Sequence, residues 1–191
     1  HKSKKDTVLK NNIKSKIYYD IKNQFNNGNI KIDIPAKSLF DNIELYVNEK
    51  NDTNKKYLSP IYEVHDENTP ICSKIKLSIK CNIDEKYNNK IGITKIEKSE
   101  IKFLGGKYKN KMLSNHITSF GDYTITIDTI PPEIKAINLK KDMSKSYSIR
   151  IHVKDNLSGI KSYEGKIDGK WILMEYDYKN KKLIYSFDNS I

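Results

Sequence analysis

The chain has 191 residues, of which 37% are hydrophobic and 31% charged, and its formal net charge is +11. This length allows one large or two small domains, and no run of about 18 apolar residues exists that could form a membrane-spanning helix. The two cysteines, Cys72 and Cys81, are too few for a disulfide framework or a cysteine-based zinc site.

The positive charge is carried by lysine, because Arg150 is the only arginine. The bidentate guanidinium contacts that recognise phosphates and guanine edges are therefore almost absent. Lysine is also common on the solvated face of a strand, so we do not expect nucleic acid as a specific partner. Weak electrostatic binding to an anionic polymer stays open, and it predicts an affinity that falls steeply with added salt.

Alternation of apolar and polar residues, the period of a half-buried strand, dominates the chain, whereas helical spacing of apolar residues is essentially absent. In 147–153 every odd-numbered residue is apolar and every even-numbered one is polar. In chain order the pattern predicts strands at 17–21, 30–34, 43–47, 57–64, 73–80, 91–96, 101–104, 123–127, 134–139, 147–153, 163–167, 171–176 and 183–187.

An extended segment at 73–80 would separate Cys72 from Cys81 by roughly 30 Å, at about 3.3 Å per residue. The Cα atoms of a disulfide lie within about 7 Å, so these two cysteines are not expected to pair. Cys81 continues the apolar parity of Ile75, Leu77 and Ile79. We therefore expect a buried, inert thiol at Cys81.

Turn-forming pairs separate the predicted strands, at Asn27–Gly28, Gly105–Gly106, Ser158–Gly159 and Asp168–Gly169. Asp168–Gly169 links two predicted strands directly and favours a type I′ hairpin, because both residues tolerate a positive φ. Many short strands with turn signals about 8–12 residues apart are typical of β-sandwiches.

The segment around Pro131–Pro132 is the best domain boundary, since two prolines in succession donate no ladder hydrogen bonds. We predict an N-terminal strand and basic lead-in at 1–29, a first β-sandwich at 30–130, and a second, immunoglobulin-like sandwich at 131–191. The second has about five predicted strands, whereas a seven-stranded immunoglobulin-like sandwich needs about 100 residues. The predicted fold class is thus all-β, with two consecutive β-sandwich domains. The second is incomplete, either truncated at Ile191 or covered on its open side by another surface.

No catalytic or metal-binding residue is predicted. The four histidines, His1, His65, His116 and His152, have none of the spacings of metal hydrolases, and no nucleophile-elbow motif occurs. His152 shares the outward parity of Arg150, so we expect it to be exposed to solvent. His65 beside Asp66 could form a catalytic or metal pair, but we favour a capped turn there.

Two further segments leave alternatives open. The loop 155–160 could ligate calcium through its side-chain oxygens, but the same residues form Asx-turns and we favour the turn. Along 170–176 both faces carry apolar residues, so Trp171 and Leu173 are expected to cover something outside their own core. With Tyr176 they are the predicted contact site, which we assign to a neighbouring domain in preference to a ligand platform.

Residues 30–191 resemble the non-catalytic β-domains that follow the catalytic domain in lysostaphin-like (LytM-type) zinc metallopeptidases of Bacteroidota. The most specific matches are 128–134 (DTIPPEI), 155–163 (DNLSGIKSY) and 167–177 (IDGKWILMEYD). Further matches are 34–41 (IPAKSLFD), 59–62 (SPIY) with 69–70 (TP), and 119–125 (SFGDYTI). The first two specific motifs also recur in bacterial immunoglobulin-like modules generally.

The resemblance implies a non-catalytic region of a peptidoglycan endopeptidase in the cell envelope, periplasmic or associated with the outer membrane. No position here matches the family's zinc ligands, so the resemblance implies no cofactor in this segment. Zinc is expected only in a catalytic domain upstream of His1, unless that domain has been lost or cut away. The implied partners are peptidoglycan or envelope proteins. The alternative is an envelope binding or adhesion module that docks onto a protein complex and has no hydrolase function.

Overall fold

The computed structural model describes residues 9–52, 56–98 and 100–187. The chain divides into two compact units, unit 1 at His1–Asp128 and unit 2 at Thr129–Ile191. Residues 1–8 of the predicted lead-in and the end of the chain at Ile191 lie outside the described residues. None of the described helices is long and apolar enough to cross a membrane.

Within its described residues, unit 1 is built from antiparallel strands and one short 3₁₀ helix at Glu85–Tyr87. Its strands are β1 (Leu9–Ile17), β2 (Asn23–Asn26), β3 (Ile30–Ile34), β4 (Ile43–Lys50), β5 (Ile61–Val64), β6 (Ile75–Lys80), β7 (Ile91–Ile96), β8 (Ile101–Gly105), β9 (Lys107–Lys109), β10 (Met112–Ile117) and β11 (Gly121–Ile127). They form a six-stranded sheet in the order β1-β4-β5-β11-β7-β8 and a five-stranded sheet in the order β2-β3-β6-β10-β9.

The core of unit 1 is formed by the apolar side chains that alternate along the strands of both sheets and point inward. In β3, Ile30, Ile32 and Ile34 are buried, and the residues between them point outward. Leu45 and Val47 of β4 and Ile93 and Ile125 of the six-stranded sheet join the same core. Cys81 is buried in this core and Cys72 is exposed, and both are free thiols. The predicted buried thiol at Cys81 is confirmed.

Unit 2 contains a four-stranded sheet and a separate two-stranded hairpin. Its strands are β12 (Glu133–Ala136), β13 (Ser148–Lys154), β14 (Gly165–Ile167), β15 (Lys170–Ile172), β16 (Glu175–Asp177) and β17 (Lys182–Ser186). The larger sheet has the order β12-β13-β17-β16, and β14 pairs with β15. With antiparallel sheets in both units, the predicted all-β sandwich class is confirmed.

The predicted hairpin at Asp168–Gly169 is also confirmed. Ile167 pairs with Lys170 across the two-residue link, and φ is 50° at Asp168 and 79° at Gly169. Positive φ at both central residues is the signature of a type I′ turn.

The predicted strand at 17–21 is wrong, because β1 ends at Ile17. The Asn23 side chain accepts a hydrogen bond from Tyr18 N–H at 3.1 Å and donates to the Tyr18 and Ile21 carbonyls at 2.7 and 2.8 Å. These bonds hold 18–22 as a turn and satisfy the backbone groups that a continuing strand would use. The strand that precedes this turn, β1, pairs with β4 in the six-stranded sheet.

The predicted strand at 171–176 is two strands, β15 and β16, which belong to different sheets. Met174 lies between them and packs on Gly165, where an added Cβ would come within 2.8 Å of Met174 Cγ. The chain therefore crosses at 173–174 from the hairpin to the four-stranded sheet.

Candidate functional site

Unit 2 contains an open apolar groove of about 780 Å³, lined by residues of both the four-stranded sheet and the hairpin. The sheet contributes Ile134, Ile149, Ile151, Val153 and Leu183, and the hairpin and the residues after it contribute Gly165, Ile167, Ile172 and Met174. An apolar, concave surface of this size is suited to binding a ligand or a peptide segment.

Strand parity brings the apolar residues of the sheet onto the groove side. Ile151 pairs with Leu183 in the β13–β17 register, and Ile134 pairs with Val153 in the β12–β13 register. Paired residues lie on the same face of a sheet, so Ile134 faces the groove together with the core of unit 2. Yet 69% of Ile134 is exposed. The apolar face is thus uncovered at its β12 end.

The N–H and C=O groups of Ile134 point away from β13, toward the edge of the sheet formed by β12. Val153 N–H donates to Lys181 O at 2.9 Å, so the backbone groups of Val153 point away from β12. Ile134 is the antiparallel partner of Val153, and in such a non-hydrogen-bonded pair both residues direct N–H and C=O away from each other. Ile134 therefore offers a donor and an acceptor at the edge.

The alternating direction of backbone groups along β12 also shows where the N–H and C=O of Ala136 point. Ile137 N–H donates to Arg150 O at 2.9 Å, so Ile137 points inward to β13. Ala136, one residue earlier, points outward like Ile134, because successive residues of a strand alternate in direction. The edge next to the groove thus has two residues ready to pair with another strand.

The rim of the groove is polar. Lys141, Ser162 and Asp168 line it, and Glu164 forms an exposed ion pair with Lys166 at 2.9 Å. An apolar floor inside a polar rim is the usual arrangement of a protein interaction site.

The three residues predicted as a contact site fall in different places. Trp171 and Leu173 are 62% and 67% exposed, whereas Ile172 between them is buried and lines the groove. Tyr176 lies half-buried on β16, with its ring 5.9 Å from that of Tyr163. The hairpin thus presents Trp171 to solvent on the side opposite the groove, and its role as a contact stays a prediction. Ile134 and Ala136 lie in the strand predicted at 134–139, and β12 covers Glu133–Ala136. Nothing in the sequence indicates that this strand is at an edge or that Ile134 lines a groove.

Unit 1 has a smaller, polar pocket of about 440 Å³ that includes His65 and Asp66. Asp66 accepts the Asn68 N–H at 3.0 Å, which lowers the pKa of the Asp66 carboxyl, and Thr69 N–H donates to Asp66 O at 3.0 Å. The predicted capped turn is confirmed. Beside it, Lys50 lies 3.2 Å from Glu63 and 3.1 Å from Asp122.

The His65 ring packs between two aromatic rings, with centroids 5.0 Å from Tyr46 and 5.2 Å from Phe120. Burial lowers the pKa of His65, and the nearby charge of Asp66 opposes this shift only in part. His65 Nδ1 is buried without a hydrogen-bond partner. The imidazole is thus held neutral as a packing group.

The loop at 155–160 is the predicted Asx-turn. Asp155 Oδ2 accepts the N–H of Leu157 at 2.9 Å and the N–H of Gly159 at 2.8 Å. His152, which parity predicts to be solvent-exposed, is half-buried. Within 9–52, 56–98 and 100–187, no three His, Cys, Asp or Glu side chains form a group that could hold a metal ion.

Fold and groove define an all-β protein of two units, in which the second carries an open apolar face. The model of the Zu5-like domain family matches residues 14–128, which is more than half of the chain. The chain belongs to the Zu5-like domain family. The match begins inside β1 and ends where unit 1 ends. No curated protein matches the chain.

Proposed function

We propose that this chain is a non-catalytic binding region whose unit 2 docks an extended segment of a partner protein beside β12. In the cell envelope this docking positions a peptidoglycan endopeptidase of the lysostaphin-like class on its wall or protein partners. The observation that carries the proposal is the free edge of β12 next to an uncovered apolar groove.

Addition of a partner strand would use both the free edge of β12 and the apolar groove beside it. Ile134 and Ala136 each offer one N–H and one C=O to an added strand, and each main-chain hydrogen bond contributes about 0.5–1.5 kcal/mol net. Alternate side chains of that strand would face the groove beside Ile134, where apolar residues gain burial. The expected partner segment is therefore extended, with apolar side chains at every second position.

The experiment places a photo-crosslinking amino acid at Ile134 in the cells that make the protein, with Phe40, equally exposed at 70%, as the control site. Crosslinks from Ile134 are expected to map to one extended segment of an envelope protein. Ala136→Pro should abolish them, since proline removes the outward N–H without touching the β12–β13 ladder. Ala136→Val keeps that N–H and should retain them.

Three results would overturn the docking proposal. They are crosslinks that survive Ala136→Pro, crosslinks confined to a second copy of the chain, and no crosslinks from Ile134 above those from Phe40.

The link to a hydrolase is supported by the resemblance of 128–134, 155–163 and 167–177 to the β-domains of lysostaphin-like metallopeptidases. The purified chain should produce no clearing in a peptidoglycan zymogram. Zinc-dependent lysis by this chain alone would reject the non-catalytic role.

The second candidate is an envelope binding or adhesion module with no hydrolase function. It is favoured by the groove itself, because strand addition requires no link to hydrolysis. The identity of the crosslinked partner separates the two. A complex that contains a peptidoglycan hydrolase supports the first function, and a complex without one supports the second.

A further inference from the structure

The outer face of the five-stranded sheet in unit 1 concentrates lysine, and this face is independent of the groove in unit 2. The strand registers place Lys76 opposite both Asp33 and His116, and Lys107 opposite Ser114. We call this surface the basic face, and its charged or titratable side chains are Lys31, Asp33, Lys76, Lys80, Lys107, Lys109 and His116.

Acidic partners are nearly absent there. Lys31 lies 3.6 Å from Asp33, the single carboxylate of the face. The other four lysines are exposed, and none of them has an ion pair within the described part of the chain. Because strands are about 4.8 Å apart and alternate residues about 6.7 Å apart, these charges share one compact area.

The opposite sheet of the same unit is balanced, so the basic face does not simply reflect composition. On the outer face of the six-stranded sheet, Lys14 pairs with Glu44 at 2.6 Å. Lys50 contacts both Glu63 and Asp122. The registers place no two lysines of the basic face directly opposite each other, but its unpaired lysines share one face of the sheet. Like charges on one surface repel each other, and a bound anion would relieve that repulsion.

We propose that the basic face binds a flexible linear phosphate polymer. Among the side chains that form the face there is no arginine for bidentate contacts and no Phe, Tyr or Trp, and the His116 imidazole alone could stack on a base, which disfavours nucleic acid. Met112 is its one large apolar side chain, too little for insertion into a lipid surface. A flat array of lysines instead neutralises successive phosphates by charge alone.

The probe is long-chain inorganic polyphosphate, titrated with the full chain at several salt concentrations. Five neutralised phosphates give a slope of log affinity against log salt of about −3.5, or roughly a 100-fold loss between 50 and 200 mM salt. The face variant changes Lys76, Lys80, Lys107 and Lys109 to Gln, and its slope should fall to about −0.7.

The matched control changes Lys140, Lys161, Lys170 and Lys179 to Gln, four exposed lysines of unit 2 with the same total charge change. It should keep the steep slope and the affinity of the wild type, and circular dichroism checks that each variant is folded. Equal losses in both variants would show that net charge alone binds the probe and would overturn the proposal. No binding to polyphosphate, or tighter binding to duplex DNA or to vesicles with anionic lipid, would overturn it as well.

Discussion

The ring of Phe103 covers Gly92 on the outer face of the six-stranded sheet, and a methyl group at residue 92 should displace it. A Cβ there would lie 2.3 Å from Phe103 Cζ and 2.5 Å from Cε2, whereas carbon atoms pack at about 3.5–4.0 Å. In Gly92→Ala the ring must therefore move by more than about 1 Å. Thr94 pairs with Phe103 across the strands, and the Thr94 hydroxyl lies 2.6 Å from that of Thr126.

Burying a whole phenylalanine contributes about 1.5–3 kcal/mol, and Phe103 is half-buried. Displacing it should therefore cost about 1–2 kcal/mol of the unfolding free energy of unit 1, within the usual range for overpacking. The expected fall in Tm is about 3–10 °C. Calorimetry measures it, and fluorescence of Trp171, the single tryptophan, follows unit 2, whose transition should not shift.

The control is Phe103→Ala combined with Gly92→Ala. Without the ring, alanine at 92 should be neutral or stabilising by up to about 1 kcal/mol, because glycine loses more chain entropy on folding. If Gly92→Ala costs the same with and without Phe103, the contact does not explain the glycine and the argument fails.

Burial lowers the pKa of His65, so the stability it contributes is complete above its unfolded pKa of about 6.5 and is lost as pH falls through the folded value. His65→Asn, which tolerates the φ of 54° there, should flatten this pH dependence in thermal melts, and an unchanged profile would contradict the assignment. Gly169→Ala should destabilise unit 2 by about 1–2 kcal/mol, because φ is 79°. Asp168→Asn should change the midpoint of tryptophan fluorescence little, and equal losses would contradict the turn type. Cys72 should react at once with a thiol reagent, whereas Cys81, buried and with its pKa raised by burial, should react only on unfolding; a fast phase that remains in Cys72→Ser would refute this.

Alternation predicts strands well where one face meets the core and the other meets water. The strands at 30–34 and 91–96 have the predicted bounds. At 57–64 the strand begins later, at Ile61, because Ser59 is drawn into tertiary bonds. Its hydroxyl accepts Ile125 N–H at 3.0 Å and lies 3.1 Å from the Thr124 hydroxyl. Such contacts have no signature in local sequence.

The sequence pattern predicts no strand at β10, because a polar residue interrupts the apolar alternation there. Asn115 occupies the core parity between Leu113 and Ile117, so the alternation is broken. In the structure its amide donates to Leu104 O at 2.6 Å, which satisfies a polar group on the inner face. The basic face is not predicted from the sequence for a related reason. Three of its charged or titratable side chains, Lys107, Lys109 and His116, lie on β9 and β10, and their alignment depends on strand register.

Exposure of apolar residues does not by itself locate the docking surface. Tyr147 and Tyr178 are 91% and 82% exposed, more than Ile134, and singly exposed apolar residues are ordinary. Ile134 differs in three ways. It lies on the same face of the sheet as the buried Val153, it lines the groove, and its backbone N–H and C=O point away from β13. An incomplete second sandwich predicts an open side, but only the strand order shows that β12 and β16 are the two edges of the sheet. Of these two strands, β12 contributes the exposed Ile134 to the groove, whereas no residue of β16 lines it. Ala136→Pro and Ala136→Val differ in one backbone donor at that edge, so loss of docking in the first and not the second identifies strand addition rather than apolar contact alone.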